Sequence, residues 1–139
     1  MTMQPWFERA KLGIFVHYGI YAVNGIAESW SFFNGQISHD DYLKQLEGFT
    51  ASSYDARAWA ELFEAAGARY AVLTAKHHDG VALYDTAASE MSVVKATPAR
   101  RDIVREYVDA MGATRSRCRR RGRRTRRRGP GSSRSTGRS

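Results

Sequence analysis

Residues 69–80 read RYAVLTAKHHDG, and the reading of the whole chain turns on them. Tyr70 to Thr74 is short, apolar and rich in strand formers, and it follows a helical pattern that stops at Gly67. A run of that kind behind a helix predicts a buried strand of an α/β sheet. The polar run Lys76-His77-His78-Asp79-Gly80 then falls at the strand's carboxyl end. Ligands bind at that end in open α/β sheets and in barrels, because the turns after the strands converge there. Two histidines beside a carboxylate and a glycine are candidates for such a site.

Working outward, Leu12 to Tyr18 (LGIFVHY) repeats the pattern: an apolar strand candidate ending in His17, with Gly19 behind it. Histidine at the carboxyl ends of both strand candidates is worth more than either motif alone. Ahead of both, Pro5 to Arg9 suits a short turn that sets Trp6 and Phe7 against the body. Tyr21 to Ile37 carries the turn signals Asn24-Gly25 and Asn34-Gly35 around the aromatic cluster Trp30, Phe32 and Phe33, as a long loop over the strand ends would. Ser38 with Asp41 predicts a capped short helix reaching about Leu46. Asp55 predicts the start of the next helix, with Ala58, Trp59, Leu62, Phe63 and Ala66 on one face. Val81 to Tyr84 extends the strand or belongs to a loop. Thr97-Pro98 reads as a cap before a helix over about 99–111, with Ile103, Val104, Tyr107, Val108 and Met111 as its apolar stripe.

The composition divides sharply. The chain has 139 residues, 42% of them hydrophobic, and a net charge of +8. Residues 114–139 hold 12 arginines and no acidic residue, so residues 1–113 carry about −4. Residues 1–113 therefore form one globular unit, and 114–139 read as a disordered arginine-rich tail without the hydrophobic periodicity that a core needs. The single cysteine, Cys118, lies in that tail, so no internal disulfide can form. The amino terminus shows no signal-peptide pattern and no stretch reaches the roughly 20 apolar residues of a membrane span, which makes a cytoplasmic product the expectation. The arginines would bind polyanions such as nucleic acid without sequence preference. No aromatic residue is interleaved among them for base stacking.

The segments WFERAKLGIFVHYGIYAV (6–23), ESW (28–30), AWAELFEAAGARYAVLTAKHHDGVALYDT (58–86) and TPARRDIVREYV (97–108) resemble the amino-terminal part of the α-L-fucosidases of glycoside hydrolase family 29. The resemblance covers about residues 5–111, and its most specific element is KHHDG after a strand. It implies a (β/α)8 barrel, agreeing with the strand–helix alternation above, of which this chain holds the amino-terminal portion. It also implies retaining hydrolysis of terminal α-L-fucosyl residues, a fucosylated glycan or glycoside as substrate, and no metal or organic cofactor. Residue by residue, it implies that His17, His77 and His78 hydrogen-bond the hydroxyls of fucose and that Trp30 walls the pocket. The family usually has glutamate immediately before that tryptophan. Ser29 stands there in this chain, with Glu28 one residue earlier as the substrate-binding carboxylate candidate, and Tyr18 stands where the family usually has tryptophan.

A retaining glycosidase uses two carboxyl groups about 5 Å apart, as nucleophile and as acid/base. In the family both come from later strands, so the resemblance assigns no catalytic residue to this chain and implies that it is inactive alone. The third strand expected after the last helix is replaced by the arginine-rich run. Arginine, glycine and proline codons dominate an out-of-frame GC-rich message, which makes a frameshift near Thr114 the expectation.

The same residues have other readings. A histidine pair at a strand end also serves purely structural hydrogen bonding, and Trp30 with its aromatic neighbours also serves as a small satellite core. His77, His78 and Asp79 are all metal-ligand types, although adjacent residues on a regular strand face opposite ways. Asp79 suits fixing the turn or a histidine tautomer better than catalysis, and His39 suits a solvated helix.

Overall fold

The computed structural model of the chain describes residues 3–125. A short helix α1 (Pro5–Arg9), with proline at its start, leads into strand β1 (Gly13–Val16). A 3-10 turn over Ile20–Ala22, helix α2 (Trp30–Phe33), helix α3 (His39–Leu43) and a second 3-10 turn over Lys44–Gly48 make up the excursion. Helix α4 (Ala56–Ala65) then feeds strand β2 (Tyr70–Leu73), followed by the short α5 (Val93–Ala96) and the long α6 (Ile103–Thr125).

The two strands pair in parallel, with Gly13 opposite Tyr70 and Val16 opposite Leu73, so the excursion and α4 form the crossover of a βαβ unit. Thr74 N–H donates to the Val16 carbonyl at 3.1 Å, which extends the pairing one step beyond the strands and aligns their carboxyl ends. Gly13 permits that register: a Cβ there would run into the Tyr70 ring lying across it. The Tyr70 ring in turn packs on Phe7 of α1 at 5.1 Å and on Trp6 at 6.4 Å.

The strands are less buried than their apolar sequences predict. Phe15 and Val72 are register partners on the same sheet face, and they are 62% and 39% exposed. The opposite face is covered, with Leu73 packed against the main cluster. A two-stranded sheet shields one face with its crossover and leaves the other open, whereas full burial needs layers on both.

Most of the core comes from outside the strands. Ile20, Tyr42, Val93 and Ile103 are completely buried, joined by Phe49, Tyr54, Val81 and Leu83. The segment expected as a loop over the strand ends, Tyr21 to Ile37, contributes Tyr21 to this interior and packs Ile26, Phe32 and Ile37 against it, while the fully buried Ile20 and Tyr42 flank it on either side.

Local capping chemistry follows the sequence closely. Ser38 Oγ accepts the Asp41 amide at 3.0 Å and donates to its carboxylate, and α3 ends at Leu43, where the 3-10 turn carries the chain on through Leu46. Asp55 Oδ1 accepts the Arg57 and Ala58 amides, both at 2.9 Å.

The helices turn other faces inward than their apolar residues predict. On α4 the inward residues are Ala56, Trp59, Ala60 and Phe63, an i, i+3, i+4, i+7 set, whereas Leu62 is 63% exposed. Leu62 lies two positions from Ala60, about 200° around the helix at 100° per residue. On α6, Ile103 and Tyr107 are buried and Val108 is 56% exposed.

Helix α6 also begins later than Thr97-Pro98 predicts. Thr97 is extended (φ −131°, ψ 159°) and its hydroxyl donates back to the Val93 carbonyl, while Arg100 has φ 47°. Asp102 is the actual cap, accepting the Arg105 amide at 2.8 Å. The helix then runs to Thr125 instead of ending near Met111. Arginine is a good helix former, and no proline falls between Pro98 and Pro130. The remainder of the expected tail, 126–139, lies outside the described residues. Among the described residues no helix is long and apolar enough to cross a membrane.

Candidate functional site

His17 follows β1 directly, and the KHHDG turn follows β2, so the parallel register brings both to one edge of the sheet. The ring centroids of His17 and His77 are 5.7 Å apart, and those of His77 and His78 are 5.0 Å apart at 86°. His77 therefore sits between the other two rings. His17 and His78 are exposed, whereas the His77 side chain keeps only 16% exposure.

The histidine pair is not on a strand. β2 ends at Leu73, and 77–80 form a turn closed by the Gly80 amide donating to the His77 carbonyl at 3.1 Å. The alternation expected of strand neighbours does not apply to His77 and His78, whose orientations are set by the turn. Gly80 adopts φ 85°, a left-handed conformation that glycine takes without penalty.

Asp79 is buried and fully engaged. Its Oδ2 accepts the Tyr42 hydroxyl at 2.9 Å and its Oδ1 accepts the Val81 amide at 3.0 Å. Of the two structural roles open to it, the aspartate fixes the turn and leaves the histidines to other partners. Among the described residues no group of three or more His, Cys, Asp or Glu side chains is placed to hold a metal ion.

Contacts to His77 come instead from the excursion. Ser29 Oγ lies 3.0 Å from Nδ1, and Glu28 Oε1 lies 3.9 Å from Nε2. Glu28 thus joins the histidine cluster. Trp30, at the start of α2, is 55% exposed and stacks edge-on against Phe33 at 5.2 Å, at the outer margin of the same segment. His39 is exposed on α3 with its ring against Phe32.

Two contributors were missed by the sequence reading. Ser29 has no local signal, since its partner is 48 residues away. Tyr21 lines the crevice with Gly19, Thr74, His77 and Asp79, its ring 6.5 Å from His77. Its hydroxyl is buried without a hydrogen-bond partner among the described residues. Burial, together with the Asp79 and Glu28 carboxylates, pushes the Tyr21 phenol up to about 12. A Cβ on residue 19 would come within 2.7 Å of the Tyr21 ring, so Gly19 makes that ring position possible.

Imidazoles, a carboxylate and hydroxyls gather past the strand ends of this parallel βαβ unit, the end at which α/β folds place their sites. The chain belongs to the α-L-fucosidase family, whose model matches residues 1–117. The tissue alpha-L-fucosidase of Rattus norvegicus is 36% identical, with 73% of this chain and 25% of that protein aligned. The plasma alpha-L-fucosidase of Homo sapiens is 34% identical, with 75% and 26% aligned. Among solved structures, alpha-L-fucosidase isoenzyme 1 from Paenibacillus thiaminolyticus superposes with a TM-score of 0.71 at 42% identity, covering 78% of this chain and 25% of that one. The Thermotoga maritima alpha-fucosidase in complex with fucose gives 0.66 at 33% identity, covering 78% and 31%. The chain spans about a quarter of the length of the curated relatives it matches.

Proposed function

We propose that this chain carries the amino-terminal part of an α-L-fucosidase, a retaining glycoside hydrolase acting on terminal α-L-fucosyl residues of glycans or glycosides, and that it forms the first portion of a (β/α)8 barrel. The observation that carries this reading is the convergence of His17, His77, His78 and Glu28 at the carboxyl ends of two parallel strands. Imidazoles and a carboxylate offer both donors and acceptors, which is what adjacent sugar hydroxyls require. Trp30 supplies an apolar wall at the edge of the pocket, since an exposed indole can lie against the carbon face of a sugar. Nucleophile and acid/base belong to later strands of the barrel, so the chain alone binds the sugar and does not hydrolyse the glycoside.

Titrating the 15N-labelled chain with L-fucose tests the reading. L-Fucose is expected to move the His17, His77 and His78 ring resonances, while D-glucose at the same concentration leaves them in place. Replacing any one histidine by alanine removes at least one hydrogen bond and weakens fucose about 5- to 150-fold, the equivalent of roughly 1–3 kcal/mol. Identical responses to both sugars, or an undiminished response in the His77→Ala, His78→Ala double variant, would overturn it. Release of nitrophenol from an aryl α-L-fucoside by the chain alone would refute the division of roles.

A further inference from the structure

We propose that Ser29 is a positioning residue that donates its hydroxyl proton to His77 Nδ1. His77 is thereby held with its proton on Nε2, so that Nε2–H and the Glu28 carboxylate act together as a donor–acceptor clamp for a single ligand hydroxyl. The clamp rests on the sugar-binding reading; the tautomer does not.

Three observations carry it. The first is what Ser29 forgoes. It occupies the N-cap position of α2, where a serine ordinarily turns its oxygen to a first-turn amide, yet its backbone is helical (φ −53°, ψ −18°) and its side chain makes no capping bond. The hydroxyl reaches 3.0 Å to His77 Nδ1 instead, and Ser29 is only 5% exposed, so water does not readily substitute for that contact.

The second is the direction of the proton. A neutral imidazole has one N–H and one lone pair, so one nitrogen donates and the other accepts. Glu28 Oε1 lies 3.9 Å from Nε2, and both side chains are largely shielded, at 22% and 16% exposure. A lone pair on Nε2 would face the carboxylate with like polarity, whereas an N–H there faces it attractively. The proton therefore belongs on Nε2, Nδ1 must accept, and the serine must donate. Asp79, the other carboxylate of the turn, is bound by Tyr42 and Val81 and does not compete for the ring.

The third is the gap itself. At 3.9 Å the Nε2 and Glu28 atoms are too far apart for a good direct hydrogen bond. An oxygen can nevertheless sit about 2.8 Å from each, accepting from Nε2–H and donating to the carboxylate. One hydroxyl uses both its functions there. An ether oxygen or a methyl group, which cannot donate, would leave the carboxylate unmatched.

The test is a long-range 1H–15N correlation spectrum of the histidine-labelled chain, recorded above the titration range of the rings. The wild type should show a protonated Nε2 and a hydrogen-bonded, unprotonated Nδ1 for His77. Ser29→Ala should move Nδ1 towards the value of a free lone pair and weaken L-fucose about 5- to 10-fold, the loss of one hydrogen bond. Ser29→Thr, which keeps the hydroxyl, should restore both.

A protonated Nδ1 in the wild type, or an unchanged Nδ1 resonance in Ser29→Ala, overturns the proposal. The wild-type spectrum decides even where a variant fails to fold. The expected tautomer with no response to L-fucose upholds the role of Ser29 and removes the sugar; a response to L-fucose with the opposite tautomer does the reverse.

Discussion

Tyr42 on α3 donates its hydroxyl to Asp79 Oδ2 across 37 residues of sequence, a 2.9 Å bond in which both residues are buried. This bond ties the excursion to the turn that carries His77 and His78. Tyr42→Phe leaves a buried carboxylate short of a donor and is expected to lower stability by about 1–3 kcal/mol. Denaturant unfolding checks it, and the His77 and His78 ring resonances should shift in the same variant. A change within error in both would show that the bond does not hold the turn.

Tyr21→Phe should behave differently, although it also removes a buried phenol. The Tyr21 hydroxyl has no hydrogen-bond partner among the described residues, so its loss leaves nothing unpaired. Stability is expected to stay level or rise by up to about 1 kcal/mol. The same unfolding measurement compares the two variants directly, and a loss equal to that of Tyr42→Phe would contradict the assigned environments.

Gly80 holds φ 85° and a Cβ there would meet nothing within 4 Å, so only the backbone penalises a side chain. Gly80→Ala is expected to cost about 1–2 kcal/mol, and Gly80→Asn less, because asparagine tolerates the left-handed region. Equal losses from the two substitutions would point to a steric cause instead.

Burial raises the phenols of Tyr18, Tyr21, Tyr42, Tyr54 and Tyr107, with Asp79 adding to Tyr21 and Tyr42 and Glu106 to Tyr54. Each folded-state phenol keeps its proton at a pH where the unfolded chain has already lost it. The stability they contribute is fully present below pH about 10 and is lost as pH rises, by about 1.4 kcal/mol per pH unit for each tyrosine ionised only in the unfolded chain. For Tyr21 the loss runs from the ordinary phenol value to about 12. Thermal melts from pH 8 to pH 11 should show a steep fall only at the alkaline end, and a flat profile would refute the burial of these rings.

Asp55 accepts two first-turn amides of α4, and Asp55→Ala should lower stability by about 1 kcal/mol, with Asp55→Ser recovering most of it. Helix α4 feeds β2, so the amide protons of Tyr70 to Leu73 report the loss by hydrogen exchange.

Much of this architecture is legible locally. Both strands, the histidines beyond their carboxyl ends and the caps at Ser38 and Asp55 can be read from the residues themselves. Apolar runs, turn glycines and capping side chains act within three or four positions. The family could also be recognised from the motif segments, and KHHDG after a strand is specific enough to carry it.

Choices between equivalent local options depended on packing. Leu62 is as apolar as Phe63, and Thr97 is as good a cap residue as Asp102; contacts from the rest of the chain selected Phe63 and Asp102. Asp79 could serve the turn or a histidine, and Tyr42 claimed it. Ser29 could cap α2 and reached His77 instead, 48 residues away. The chain's own residues specify which side chains can donate, accept or bury. Which of them meet is decided by the parallel register of the two strands and the path of the excursion around them, because a hydrogen bond forms only where folding has brought its two ends within about 3 Å.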